Sequence, residues 1–173
     1  MIVTIGGSAA SGKTTLARNL ARRLKYKHLS AGGIMRRMAA ERNQDIMEFS
    51  RYAEKHPYVD KEIDRRQKKL AKGNCIVDGR LSAHFLKADL RVWLTAPIKV
   101  RAKRIRGRDG HPTLEAAVEH IRQREASERK RYKRVYGIDH PDYGLYDIVL
   151  NTEKFGIKAT ADIIANAVRN VRK

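Results

Sequence analysis

Gly7-Ser8-Ala9-Ala10-Ser11-Gly12-Lys13-Thr14 satisfies the pattern G-x-x-x-x-G-K-[ST] at every defined position. Its flanks supply the context that the pattern needs. Ile2-Val3-Thr4-Ile5 reads as a short buried strand, and residues 13–24 read as a helix with Leu16, Leu20 and Leu24 on one face. Strand, glycine loop and helix N-terminus in that order form a cradle for an anion. Glycines let backbone N–H groups converge on phosphate oxygens, and the helix dipole adds partial positive charge. Lys13 is placed to reach β- and γ-phosphates, and the Thr14 hydroxyl to ligate Mg²⁺.

Working outward, strands are expected at 2–5, 27–29, 75–78, 90–94 and 147–151. Helical patterns lie near 13–24, 33–42, 45–55, 59–72, 81–87, 97–107, 113–135 and 157–171. Strands separated by helices give βαβ units, hence an α/β fold with a parallel sheet and helices on both faces. Ligands in such sheets bind beyond the C-terminal ends of the strands. That places the loops after Ile5, Leu29, Val77, Leu94 and Leu150 around one cleft. Residues 31–72 show helical patterns and no strand, as a small helical insert over the cleft would. Residues 103–112 are basic and contain Gly107 and Gly110, candidate pivots of a short lid.

The chain of 173 residues is the size of one domain, so 1–173 is read as a single unit. No run of about eighteen apolar residues offers a membrane span, and Gly6 to Lys13 interrupt any secretory leader. The single cysteine, Cys75, excludes an internal disulfide and suits a reducing compartment, so a cytoplasmic monomer with no membrane partner is expected. Lys and Arg number 38 against 19 Asp and Glu, a net charge of +19 that attracts polyanions without choosing among them.

Phosphoryl transfer needs positioning and positive charge where negative charge develops. Arg36, one turn into the segment opened by Leu29-Ser30-Ala31-Gly32, is placed to hold an acceptor's phosphate in a bidentate contact. Asp78-Gly79-Arg80 ends an apolar run; its carboxylate suits Mg²⁺ held through water, and Gly79 permits a sharp turn that aims Arg80 at the cleft. Arg101, Arg104 and Arg108 recur at helical spacing, and Arg124, Arg129 and Arg131 form a second cluster. The histidines show no H-x-x-x-H spacing, so no protein-built zinc site is expected. Neither a G-x-S-x-G elbow nor a G-x-G-x-x-G run is present.

The phosphate loop, Leu29-Ser30-Ala31-Gly32-Gly33-Ile34-Met35-Arg36 and Asp78-Gly79-Arg80 resemble nucleoside monophosphate kinases. Asp89-Leu90-Arg91-Val92-Trp93-Leu94-Thr95-Ala96-Pro97, followed by Arg101, resembles cytidylate kinases in particular. Arg124-Glu125-Ala126-Ser127-Glu128-Arg129-Lys130-Arg131-Tyr132 with Tyr136-Gly137-Ile138-Asp139 is similar to their short archaeal form. The resemblance runs over essentially the whole chain. It implies a three-layer P-loop kinase fold with a five-stranded parallel core, a monophosphate-binding helical insert and a closing lid. It also implies transfer of the γ-phosphoryl group of Mg·ATP to CMP or dCMP. By the same resemblance Gly7 to Thr15 bind ATP, and Asn151 and Thr152 lie near its adenine. Arg36 holds the CMP phosphate, Arg80 faces the pyrimidine nucleotide, and Arg124 and Arg131 line the site from the lid side. Leu81 and Ala31 depart from the longer bacterial form, which carries an aspartate and a serine there.

Cytosine presents an amino donor and two acceptors, so its pocket wants a carboxylate beside an arginine. Asp60, Asp64 and Arg65 or Arg66 are the candidates. The catalytic candidates are thus Lys13, Arg36, Arg80, Arg124 and Arg131, with Arg129 and Asp78-Gly79 on the substrate side and Thr14 and Asp78 at the metal. Two rivals stay open: a kinase of the same fold acting on AMP or UMP, and a nucleic-acid-binding ATPase. Aromatic residues make up only 6%, with no interleaved basic and aromatic stacking platform, so non-specific polyanion binding is expected and a specific nucleic-acid partner is not.

Overall fold

β1 (Ile2–Gly7) is the central strand of a five-stranded sheet in the computed structural model, which describes residues 1–171 apart from the side chains of Met47 and Arg108. On one side it pairs with β3 (Cys75–Asp78), Ile5 opposite Asp78, and on the other with β4 (Leu90–Thr95), Gly7 opposite Leu94. β2 (Lys27–Ser30) lies outside β3 and β5 (Ile148–Asn151) outside β4. The order is β2-β3-β1-β4-β5, and every pairing is parallel. The chain builds one half of the sheet beyond β1 and then crosses to build the other. A crevice therefore opens at the C-terminal end of β1, the switch point at which ligands bind in such sheets. The expected parallel α/β architecture is the one observed; the differences lie at element ends, as where β1 continues to Gly7 instead of stopping at Ile5.

Alternation along the strands decides which layer each side chain joins. Val3 and Ile5 of β1, with Val92 and Leu94 of β4, face α1 (Lys13–Leu24) and α8 (Ile157–Asn170). Leu16 and Leu20 of α1 and Ile164 and Val168 of α8 complete that buried layer. On the other face the bare Cα of Gly6 lies beside Trp93, which packs with Tyr146 and with Ala83 of the short α5 (Ser82–Phe85).

Residues 31–72 hold α2 (Ala31–Ala40), α3 (Ile46–Lys55) and α4 (Tyr58–Leu70). Ile34, Met38, Phe49, Val59 and Ile63 close on one another and on Leu29 and Val77, so this helical segment shares a core with the β2–β3 side of the sheet. Two further helices, α6 (Ile98–Asp109) and α7 (Leu114–Tyr136), pack through Ala102, Ile105, Ala117 and Ile121 onto Ala9 of the phosphate loop. Residues 103–112 comprise the end of α6, its left-handed cap Gly110 and the turn into α7, with Gly107 inside the helix. Among the described residues no helix is long and apolar enough to cross a membrane.

Candidate active site

The phosphate loop turns on glycine. Gly7 has φ +152°, and a Cβ there would collide with the Leu94 carbonyl oxygen, so β1 can leave the sheet at this point only without a side chain. Gly12, at φ +95°, delivers the chain into the first turn of α1. Lys13 Nζ donates to the carbonyls of Gly7 at 2.9 Å and Ser8 at 2.7 Å, folding back over the loop it serves. Burial, followed by repulsion from Arg80 and Arg124, pushes the Lys13 ammonium well below its usual range.

Asp78 ends β3 and is the hub beside the loop. Its Oδ2 accepts from Thr14 Oγ1 at 2.8 Å and from Ser30 Oγ at 3.2 Å, and its Oδ1 lies 2.6 Å from His28 Nε2. The register that sets Ser30 opposite Asp78 brings the β2 residues to it. A hydroxyl and a carboxylate in contact are hard oxygen donors of the kind Mg²⁺ takes, with phosphate and water completing its shell. Among the described residues no group of three or more His, Cys, Asp or Glu gathers to hold a metal. Gly79 is required sterically, because a Cβ there would stand 2.8 Å from Ala31 Cβ at the start of α2.

Arg80 turns into the crevice and donates to the Gly7 carbonyl. Its Nε pairs with Glu128 of α7, whose other oxygen takes Arg124 Nε at 3.1 Å. Burial would raise the Glu128 carboxyl, but Arg80 and Arg124 dominate and hold it down to about 2. One turn back on α7, Glu125 accepts from the Ala9 backbone N–H at 2.9 Å and from Arg101 Nη1 at 2.7 Å. Arg101 is buried and also donates to the Ala9 and Ala96 carbonyls. Arg104 donates to the hydroxyl and carbonyl of Thr152 at 2.9 and 2.8 Å, and the Thr152 hydroxyl reaches the Ser11 carbonyl at 3.1 Å. The side chain of Arg108 lies outside the described residues.

Toward the α4 side, Arg131 grips Asp60 with both prongs, at 3.0 and 3.1 Å, and both side chains are buried. Burial still pushes Asp60 above the ordinary carboxylate range, against the pull of Arg131. Asp64 accepts from Tyr136 Oη and, at 3.1 Å, from Gln67 Nε2; burial raises it to about 6, with the Asp60 charge adding to the effect. Burial and then Arg80 depress His140, between Trp93 and Tyr132, to about 4.

The candidates therefore divide. The loop, Asp78, Gly79, Arg80, Arg124, Asp60, Asp64 and Arg131 form one connected neighbourhood. Arg36 stands exposed on α2, its Nη1 folded to 3.6 Å from where a Gly32 Cβ would sit, and no ion pair holds it among the described residues. Arg66 does not join Asp60 and Asp64. It points to the outer side of α4, where Glu62 and Glu41 pair with it, and Arg65 likewise pairs with Glu62. The arginine beside the buried carboxylates is Arg131, contributed by a distant helix. Arg129 is exposed on α7, and Thr15 and Asn151 are exposed as well, the Asn151 side chain accepting from Glu153 N–H.

Sequence reasoning assigned no role to Glu125, Glu128, His28, Gln67, Tyr132 or Tyr136. The signal for the glutamates was present: their spacing puts them on the α7 face that buries Ile121, Arg131 and Tyr132. His28 and Ser30 become visible only once β2 is known to lie against β3.

Comparison with known proteins identifies the family. The description "cytidylate kinase-like family" belongs to a family model that matches residues 2–154. The cytidylate kinase of Methanothermobacter thermautotrophicus is 52% identical over 92% of this chain and 100% of its own length. That of Methanocaldococcus jannaschii is 44% identical over 100% of both. Among solved structures, shikimate kinase from Acinetobacter baumannii in complex with shikimate superposes with a TM-score of 0.65 at 15% identity, covering 99% of this chain and 95% of the other. An uncharacterized protein from Eubacterium ventriosum reaches 0.72 at 16% identity, covering 98% and 99%. At such identity the structural likeness speaks to the fold alone. On sequence, the chain belongs to the cytidylate kinase-like family.

Proposed function

We propose that the protein phosphorylates CMP, and dCMP, by in-line transfer of the γ-phosphoryl group of ATP. The carrying observation is the junction of two anion sites. A phosphate loop with Lys13 and the Thr14–Asp78 pair adjoins a guanidinium cluster of Arg80 and Arg124, with buried carboxylates beyond it. The family's curated members named cytidylate kinase support the acceptor.

In this reading the loop amides and Lys13 grip the ATP phosphates, Lys13 exchanging two carbonyls for phosphate oxygens. Thr14 and Asp78 would hold Mg²⁺, which, when bound, neutralises charge on the transferring group. Arg36, without an ion pair among the described residues, takes the acceptor phosphate. Arg80 and Arg124 stabilise the negative charge that develops between the two nucleotides. A carboxylate among Asp60 and Asp64 accepts from the cytosine amino group, which uracil lacks. α6 and α7 exclude water over the loop.

A panel of CMP, dCMP, UMP and AMP, assayed for ATP-dependent ADP formation, tests this. CMP is expected to give the highest kcat/KM, and a rate with AMP above that with CMP overturns the assignment. In the same assay Arg36→Ala should raise the KM for CMP at least tenfold while leaving the KM for ATP nearly unchanged.

A further inference from the structure

Glu128 of α7 lies between two arginines of the candidate site and close to the lysine of the phosphate loop. Its two oxygens are taken by two guanidinium groups, Arg80 and Arg124, and both Glu128 and Arg80 are nearly buried, with side chains 12% and 10% exposed. Lys13 belongs to the same cluster: Arg80 and Arg124 repel its ammonium, and Glu128 and Asp78 attract it. Asp78 is engaged by Thr14, Ser30 and His28, so Glu128, which pairs with both arginines, is the main acid balancing them, with Glu125 adding to its effect on Arg80. One turn away on the same helix, Glu125 occupies a phosphate-loop N–H, that of Ala9. α7 thus presents two carboxylates to the donors that would otherwise be open to phosphate.

We propose that Glu128 is a resident counter-anion. It holds Arg80 and Arg124 in place on the phosphate path while the site is empty, and it yields them to the phosphates when nucleotides bind. This rests on reading those arginines as phosphate-binding groups. The nearly buried Arg80 guanidinium, the Lys13 ammonium and the half-exposed Arg124 repel one another when no anion lies between them. An anion tethered on a helix keeps them together, and any entering phosphate must compete with it. The competition weakens binding of a lone small anion. A nucleotide with many further contacts still displaces the carboxylate. The site is thereby kept organised and closed to stray inorganic phosphate.

The test is the affinity of nucleotide-free enzyme for inorganic phosphate, measured by calorimetry at low salt. Glu128→Gln keeps the shape and removes the charge; it should bind phosphate about ten-fold more tightly, as expected for deleting one negative charge a few ångströms from the ligand in a partly desolvated site. Glu119→Gln, a change on the exposed side of α7 where Glu119 accepts from Gln123, raises the net charge equally and should leave the affinity unchanged. Phosphate binding to Glu128→Gln that is equal to or weaker than wild type overturns the proposal. The wild-type protein gives an independent readout needing no substitution: the side-chain carboxyl ¹³C resonance of Glu128 should move as phosphate is added, and a resonance that stays fixed through saturation refutes displacement. Wild-type turnover of CMP separates the two claims. If CMP is phosphorylated and phosphate affinity does not respond to Glu128→Gln, only the counter-anion role fails; if CMP is not a substrate, the acceptor assignment fails.

Discussion

Asp64 shows what the site costs the fold. Burial and the neighbouring Asp60 raise its folded pKa to about 6, above the roughly 3.9 of an unfolded aspartate. Between those values the folded chain binds more protons than the unfolded one. The stability contributed by neutral Asp64 is therefore complete below about pH 4 and is lost as pH rises toward 6. At neutral pH the protein carries a buried carboxylate at a penalty that packing alone would not retain. Asp64→Asn keeps the neutral form at every pH. It should be more stable than wild type by about 1–3 kcal/mol at pH 7.5, by roughly a third of that at pH 4.5, and slower with CMP. Urea denaturation at the two pH values checks this, and an Asn variant no more stable at pH 7.5 would show the penalty to be absent. At this scale, Lys13, Thr14 and Asp78 were legible because a glycine loop fixes their chemistry locally. Arg131 as the partner of Asp60 was not. Nothing within α4 distinguishes it from Arg65 or Arg66, and a pairing between distant helices depends on tertiary packing.

At the scale of the element, α7 joins the two halves of the site. Its inward face carries Glu125 toward the phosphate loop, Glu128 toward Arg80 and Arg131 toward Asp60 of α4. Its boundaries were readable, since Thr113 caps the N-terminus by accepting from Ala116 N–H at 3.1 Å and Gly137, at φ 70°, closes the C-terminus. Its function was less so. On a surface helix charges normally mark the wet face, and here several charged residues point inward because they are paired. The cap lies well away from Glu125 and Glu128, so it separates stability from activity. Thr113→Ala removes one acceptor for the helix's first N–H groups and should cost about 1 kcal/mol, lowering Tm by about 2–4 °C for a chain of this size. The kcat for CMP at 25 °C should stay within twofold. A large loss of kcat at temperatures where the variant is fully folded would mean that the start of α7, and not only its middle, shapes the site.

Taken as a whole molecule, the fold was legible as alternating strands and helices, while the strand order was not. Only the pairing of β1 with both β3 and β4 makes the crevice, and neighbouring strands in a parallel sheet leave little mark on each other's sequence. The net charge of +19 was plain from composition, and the site accounts for only part of it. Arg18, Lys25, Lys99, Lys103, Arg106 and Arg122 are exposed on α1, α6 and α7 and at the end of α1, spread over the surface instead of lining the crevice. Cations spread in this way, without an aromatic platform, bind polyanions by releasing counterions, and such binding carries no sequence preference. Oligo(dT) and oligo(U) labelled with a fluorophore should therefore bind weakly and alike, with affinity falling at least tenfold between 50 and 200 mM salt along a straight log–log line. CMP phosphorylation should lose less over the same range, because Arg80 and Asp78 at the centre of the candidate site are little exposed and less screened than surface cations. Oligonucleotide binding that survives 200 mM salt, or that discriminates strongly between sequences, would instead assign part of this basic surface to a dedicated nucleic-acid partner.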